Sequence, residues 1–328
     1  MSGNTTDNSS ALRRAEMYSS VILDTIKDDY LPEGIHRDVS DFPDGTTLHV
    51  TTFGDIVIRD VNENQDRPID PLDTGEITLT INKHKGAGSY ITDEVRQDSW
   101  KARQFDQALP GKQLRGIKEA YETDLLATSE NLQTQTDANA INGWAHRFVA
   151  SGTSGILTLD DLIYAKASMD KANLPAEGRI FIVDAIVEAT LNGLSNIVSM
   201  SNNPQVEGIA NTGFAKNMKF LKNLYGFDIY ISNRLPHVAS ENVNTSGISI
   251  PAPSGNGTSA ADAVICQAMC VADAMLAPYM GAWRQMPQTE GFRNVQKGRD
   301  EFYCTARWGF GGQRPQSLIT ILVNAAAY

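Results

Sequence analysis

Two stretches of alternating apolar and polar residues face each other across a polar interval early in the chain. Leu48, Val50 and Thr52, continued by Ile56 and Ile58, form one; Ile77, Leu79 and Ile81 form the other. A period of two marks strands with one buried face. Residues 46–82 are therefore expected to form a long hairpin. Its tip, Asn62 to Gly75, is too polar to bury itself. A hairpin with so little core of its own is expected to lay its apolar face on something else, which points to a subunit that reaches over a neighbour.

After the hairpin the period changes. Leu114, Ile117, Tyr121, Leu125, Thr128 and Leu132 recur at spacings of three and four, one apolar stripe on a helix. Pro110 suits a helix start, so a helix is expected from Gly111 to about Trp144, a rod of roughly 50 Å at about 1.5 Å per residue. A shorter helix pattern covers Ala11 to Lys27 within an N-terminal arm. Thr158 and Asp161 form a capping-box pair at the start of a helix that ends before Pro175. Arg179 to Val183 is a short buried strand, and Asp184 caps a helix to about Leu194. Tyr225 to Ile231 is a strand, and Pro236 to Ala260, rich in Ser, Asn, Gly and Pro, is expected to be a long mobile surface loop. Glu301–Ala306 and Leu318–Val323 are closing strands. No internal repeat occurs.

Length and composition narrow the class. At 328 residues, the chain can bury roughly three quarters of its unfolded surface without staples. Three cysteines, Cys266, Cys270 and Cys304, make a disulfide framework a poor fit and a reducing compartment a good one. The spacing of Cys266 and Cys270 would set both on one helical face, where buried small apolar residues are the ordinary reading. No apolar leader opens the chain, and no window approaches a membrane span. The net charge of -11 argues against tight sequence-independent binding of nucleic acid. That charge is unevenly spread. Residues 41–75 hold eight acidic side chains and two basic; residues 83–118 hold eight basic and four acidic; residues 284–314 hold six basic and three acidic.

Catalytic chemistry finds little support. The five histidines show no metal-ligand spacing, and no nucleophile elbow is present. Gly309–Gly312 follows a strand but leads to another strand rather than a helix, so a tight turn is expected there instead of a phosphate loop. Trp283-Arg284 and Arg307-Trp308 could stack on bases, but packing of the indoles is the plainer reading. No enzyme activity, metal or cofactor is expected.

The order of elements resembles the major capsid proteins of tailed bacteriophages, whose Hong Kong 97-type fold is shared by encapsulin shells. The resemblance rests on several stretches in sequence. The hairpin arm Glu76-Ile-Thr-Leu-Thr-Ile81 leads into a Lys-containing strand and then Ile91-Thr-Asp-Glu-Val-Arg-Gln-Asp-Ser99. A long helix follows. The core strand Arg179–Val183 is preceded by helix and proline, and Tyr225-Gly-Phe-Asp-Ile-Tyr-Ile231 comes before Pro236. The ending Gly309-Phe-Gly-Gly-Gln-Arg-Pro315 is similar to capsid proteins of short-tailed phages, the podoviruses.

The resemblance implies an α+β, Hong Kong 97-like phage capsid fold. Its parts would be an N-terminal arm (1–45), an extended hairpin loop or E-loop (46–82), a peripheral domain with a long spine helix (83–175 and 285–328), and an axial domain (176–284). It implies a major capsid protein that self-assembles as hexamers and pentamers into an icosahedral shell. The shell would enclose a double-stranded DNA genome without sequence-specific binding and without a membrane, assembled in the host cytoplasm. Partners implied are further copies of itself, a separate scaffolding protein, a portal and, as an additional candidate, a cement protein. An encapsulin-type bacterial compartment is the alternative. In such shells the hairpin lies over the next subunit. Joined to the charge pattern, this sets Asp60, Glu63, Asp66, Asp70 and Asp73 of the hairpin against Lys83, Lys85, Arg96, Lys101, Arg103, Arg293 and Arg299 of a neighbour.

Overall fold

The computed structural model describes residues 31, 34–41, 45–54, 56, 58–61, 63, 66, 71–99, 102–133, 136–193, 223–244, 247–255 and 257–325. The helix expected at 11–27 lies outside the described residues. In chain order the elements are β1 (Arg37–Asp38), β2 (Thr47–Phe53), β3 (Thr74–Thr80), β4 (Lys83–Thr92), α1 (Asp93–Asp98) and α2 (Ala102–Leu132). There follow β5 (Arg147–Val149), α3 (Leu159–Lys171), β6 (Arg179–Val183), α4 (Ala185–Gly193), β7 (Asn223–Leu224), β8 (Phe227–Ile231) and β9 (His237–Val238). After these come β10 (Asn242–Val243), β11 (Gly257–Thr258), β12 (Ala263–Cys270), β13 (Tyr279–Asn294), β14 (Arg299–Gly312) and β15 (Leu318–Asn324).

The larger core sits in a mixed seven-stranded sheet of order β5-β15-β12-β6-β8-β7, with β9 pairing β12. Strands β6 and β12 are buried along their whole length. A strand covered on both faces carries a continuous apolar run rather than alternation, and that is why Ala263–Cys270 gave no period-two signal. Helix α3 adds Leu162, Ala165 and Met169 to this core. Its capping box forms as the spacing predicts: Thr158 Oγ1 accepts from Asp161 N, and the Asp161 carboxylate accepts from Thr158 N at 2.9 Å.

The segment 236–260 is tied down rather than loose. β10 pairs with β11, and Glu241 is buried beneath them. Arg147, fully buried on β5, donates from Nε and Nη2 to the two Glu241 oxygens at 2.7 and 2.6 Å and from Nη1 to Thr320 at 3.2 Å. A buried guanidinium needs this full set of acceptors, because charge left unpaired in a core is costly. Polar composition marked the segment as loop; the ion pair and the short ladder override it.

The second sheet has order β1-β13-β14-β4, with α2 laid across one face. Ile117 of the helix packs on Cys304, Ala306 and Trp308 of β14, while Leu125 and Leu126 enter the larger core. At 31 residues α2 is roughly 46 Å long, so one rod serves both cores. The helix begins before Pro110 and stops at Leu132, not near Trp144. Gln133 ends it, donating from its side chain to the His146 and Leu318 carbonyls at 3.2 and 3.0 Å. Beyond it Asn139, Asn142 and Gly143 take positive φ, a turn conformation that asparagine and glycine tolerate. The division expected at 175 and 284 runs between paired strands, since β15 pairs with β12 and residue 284 falls inside β13.

Gly309–Gly312 forms neither a turn nor a phosphate loop. It is the end of β14, and the missing side chains make room. A Cβ at Gly309 would lie 2.4 Å from the Thr80 carbonyl oxygen, and one at Gly312 would lie 2.3 Å from Leu132 Cδ1. Glycine inside a strand marks such close approach. The hairpin base and the end of α2 close onto β14 there.

Two outcomes follow for the unassembled subunit. Gly309→Ala should destabilise it by about 1–3 kcal/mol and speed hydrogen exchange at residues 77–81; unchanged exchange would mean the contact is slack. Desolvation pushes the His146 imidazole from 6.5 down to about 4, against smaller raising contributions from the backbone at Trp144 and Gln316. The unfolded chain thus takes up this proton at a higher pH than the folded one. Stability from this site is complete above pH 6.5 and falls, by on the order of 3 kcal/mol, as pH drops toward 4. His146→Asn should flatten the urea-midpoint profile in that window.

Candidate assembly surface

Among the described residues no three His, Cys, Asp or Glu side chains converge as metal ligands. Cys266 and Cys270 lie on strand β12, not on a helix, and both are buried. Burial pushes the Cys266 thiol up to about 12, which keeps it protonated and apolar. The tryptophans are engaged internally. Tyr121 of α2 stacks on Trp283 with ring centres 4.3 Å apart and meets Trp308 edge-on at 5.7 Å. Trp308 is fully buried, so no face of it is open to a base.

What remains on the outside is a pair of surfaces. The first is the hairpin. β2 and β3 pair from Thr47↔Thr80 to Phe53↔Thr74, with Leu48 opposite Leu79 and Val50 opposite Ile77. At the base this apolar side is covered within the subunit, where Leu79 and Ile81 pack with Met280 and Ala282. The ladder ends at Phe53, so Ile56 and Ile58 lie beyond the arm expected to hold them. Phe53, Ile56, Ile58 and Val61 are 71%, 81%, 95% and 63% exposed. Asp60, Glu63, Asp66 and Asp73 are exposed, and among the described residues none has an ion-pair partner. Asp70 lies outside the described residues. The tip is therefore apolar as well as acidic, a mixture that the charge count had hidden.

The second surface is the ribbon of β4, β13 and β14 with α1. Of the cations expected there, Lys83, Lys85, Arg96, Arg293 and Arg299 are described, and each faces a carboxylate of its own chain. Arg293 Nη1 and Nη2 donate to Asp93 at 2.8 and 2.7 Å, and Nη1 also reaches Asp300 at 3.1 Å. Arg96 pairs with Asp300 as well. Arg299 Nε donates to Glu301 at 2.7 Å. Lys85 Nζ lies 2.8 Å and Lys83 Nζ 4.0 Å from Asp124, whose other neighbour is the Trp308 indole N–H. The Arg293 guanidinium holds the Asp93 carboxyl below the usual carboxylate range, and Arg299 does the same for Glu301. Lys101 and the Arg103 side chain lie outside the described residues. On the face away from α2, the ribbon exposes Tyr90, Phe292 and Tyr303. Sequence reading missed these three, since which face of β14 meets α2 is fixed only by the packing.

A family model described as phage capsid protein matches residues 75–321. No curated protein matches the chain. Among solved structures, a capsid of the cyanophage P-SCSP1u aligns with a TM-score of 0.65 at 13% identity, covering 94% of this chain and 93% of that one. The mature capsid of bacteriophage PhiM1 gives 0.64 at 13%, over 98% and 96%, and Mycobacterium phage Che8 gives 0.60 at 15%, over 94% and 96%. At such identities the likeness is one of fold.

For the ribbon, Arg293→Gln should return the Asp93 carboxyl toward its ordinary pKa while leaving Glu301 low, read by NMR titration of the side-chain carboxyls. An unmoved Asp93 would assign its shift to another group.

Proposed function

The chain belongs to the phage capsid protein family, and from that membership we propose how it builds a shell. It is a tailed-phage major capsid protein with a Hong Kong 97-like fold, and its place is the virion capsid. The family is a structural one, and the encapsulin alternative is not favoured. In our reading the subunit forms hexamers and pentamers that close an icosahedral shell around double-stranded DNA. Assembly takes place in the host cytoplasm with a scaffolding protein and a portal, and a cement protein is a further candidate.

The observation that carries this reading beyond the family is the hairpin. It projects from the ribbon with an exposed tip of apolar and acidic residues that its own subunit does not cover. We assign the arm to 1–45, the hairpin to 46–82, a peripheral body to 83–175 and 285–328, and an axial body to 176–284, with the pairing of β15 to β12 joining the last two. The hairpin acids Asp60, Glu63, Asp66, Asp70 and Asp73 meet the next copy near Lys83, Lys85, Arg96, Lys101, Arg103, Arg293 and Arg299. Because several of those cations already hold carboxylates, the incoming acids exchange partners rather than neutralise bare charge. Each exposed pair then contributes about 0–1 kcal/mol, which sets register more than adhesion.

Expressed alone at high concentration, the protein should give polyhedral shells or capsomer rings in negative-stain microscopy. A variant with residues 55–72 replaced by a short Gly-Ser link should keep its circular dichroism spectrum and lose those particles. Particles formed as readily without the tip would overturn the hairpin's role.

A further inference from the structure

The run Lys83-His-Lys-Gly-Ala-Gly-Ser-Tyr90 contains two glycines with no evident local cause. Neither carries a positive φ. Their reason lies across the ladder. β14 pairs Tyr303 with Gly88 and Thr305 with Gly86, and the Tyr303 ring lies over both. A Cβ at Gly88 would come within 2.8 Å of Tyr303 Cδ2, and one at Gly86 within 2.8 Å of its hydroxyl. The ring is thus a flat floor let into the sheet. Register puts Tyr90, Glu301 and Phe292 side by side on this same face, opposite the one that Cys304, Ala306 and Trp308 turn to α2. Arg299 lies over the Tyr90 ring at 4.3 Å and is held by Glu301. Together they enclose a shallow cavity of about 140 Å³. A cavity of roughly 150 Å³ takes a benzene, so this one fits a single large apolar side chain. Its rim charges cancel each other, which suits an apolar guest.

We propose that this shelf receives the apolar tip of the hairpin, Ile56 and Ile58 foremost, from a second copy of the chain. The assignment rests on the hairpin reading above and adds apolar adhesion to the register set by its ion pairs. The occupant follows from topology. β3 passes Gly311 and then Gly309 on its way to Ile81, and β4 continues in the same direction, from Lys83 beside Trp308 to Thr92 beside Arg299. Tip and shelf therefore lie at opposite ends of one strand path. The seventeen residues from Thr74 to Tyr90 span up to roughly 50 Å at about 3.3 Å each. The strand path thus carries the tip of a subunit away from its own shelf. Every copy offers one of each, so the contact runs head to tail, and head-to-tail contacts close into rings when the rotation permits. The exposed apolar residues of the hairpin end, Phe53, Ile56, Ile58, Val61 and Leu72, and three aromatics at the shelf are the matching surfaces.

Paired cysteines test this, because the native Cys266, Cys270 and Cys304 are all buried. Ile58→Cys and Phe292→Cys both sit at exposed positions and should leave the thermal midpoint unchanged. The double variant, oxidised after assembly, should run as a ladder of covalent oligomers on a non-reducing gel; neither single variant should. Met286→Cys, exposed on the same strand away from the shelf, serves as the control partner. Coupling of Ile58→Cys to Met286→Cys but not to Phe292→Cys would overturn the shelf and leave hairpin docking standing. Coupling to neither, in particles that form normally, would overturn both. As a second readout, Ile56→Ser with Ile58→Ser should raise the concentration needed for assembly by about tenfold or more. Assembly of the unaltered protein should survive about 1 M salt, where exposed ion pairs are screened to within roughly 3 Å. Loss of particles in salt would return the contact to the ionic pairs.

Discussion

The glycine end of β14 is the constraint on which the other arrangements depend. Strand β14 pairs with β13 on one side and β4 on the other, and three of its last four residues have no side chain. Gly309 admits the chain at Thr80 and Ile81, Gly311 admits Leu79 and Met280, and Gly312 admits Leu132 at the end of α2. Hairpin, ribbon and long helix meet within one strand's width. A side chain at any of these positions would push the hairpin off its seat, and with it the direction in which the tip projects. Orientation of the hairpin is thus set by an absence of atoms, enforced by the hard-sphere repulsion around it.

Helix α2 carries the other half of the mechanical burden. Ile117 and Tyr121 hold the ribbon through Trp283, Trp308 and Phe310. Further along, Ser129 and the Leu126 carbonyl take both hydrogens of the Gln267 amide from the middle of β12. Glu122 reaches sideways to Ser232 and Arg234. The one rod is thus hydrogen-bonded to one sheet and packed on the other.

Contacts between copies repeat many times in a closed shell, so each can be weak. Ion pairs at an exposed ribbon suit register, and Arg293, Arg299 and Arg96 already hold carboxylates of their own subunit. In the docking we propose, apolar side chains at the tip would supply adhesion that salt does not screen, and dividing the two tasks would let misplaced subunits leave while correct ones accumulate.

Much of this was written in the chain. Alternation at Leu48–Thr52 and Ile77–Ile81 marked the hairpin, the 3–4 spacing marked α2, and Thr158 with Asp161 marked the start of α3, because each signal is local and acts within one turn or one strand. The excess of acids before residue 75 and of bases after residue 83 was equally plain. Tertiary structure decided what local signals cannot reach. Strand β13 went unread because Pro287 sits among its bulges between Trp283 and Gln288, and β12 because a doubly buried strand has no period. The mobile loop at 236–260 became a buried ion pair once Arg147 arrived from ninety residues away. Gly86 and Gly88 gained their reason only when the ladder set Tyr303 across them. Which carboxylate each cation holds, which aromatics stay exposed and where the hairpin points are properties of register and packing between distant segments. No spacing along the chain encodes them.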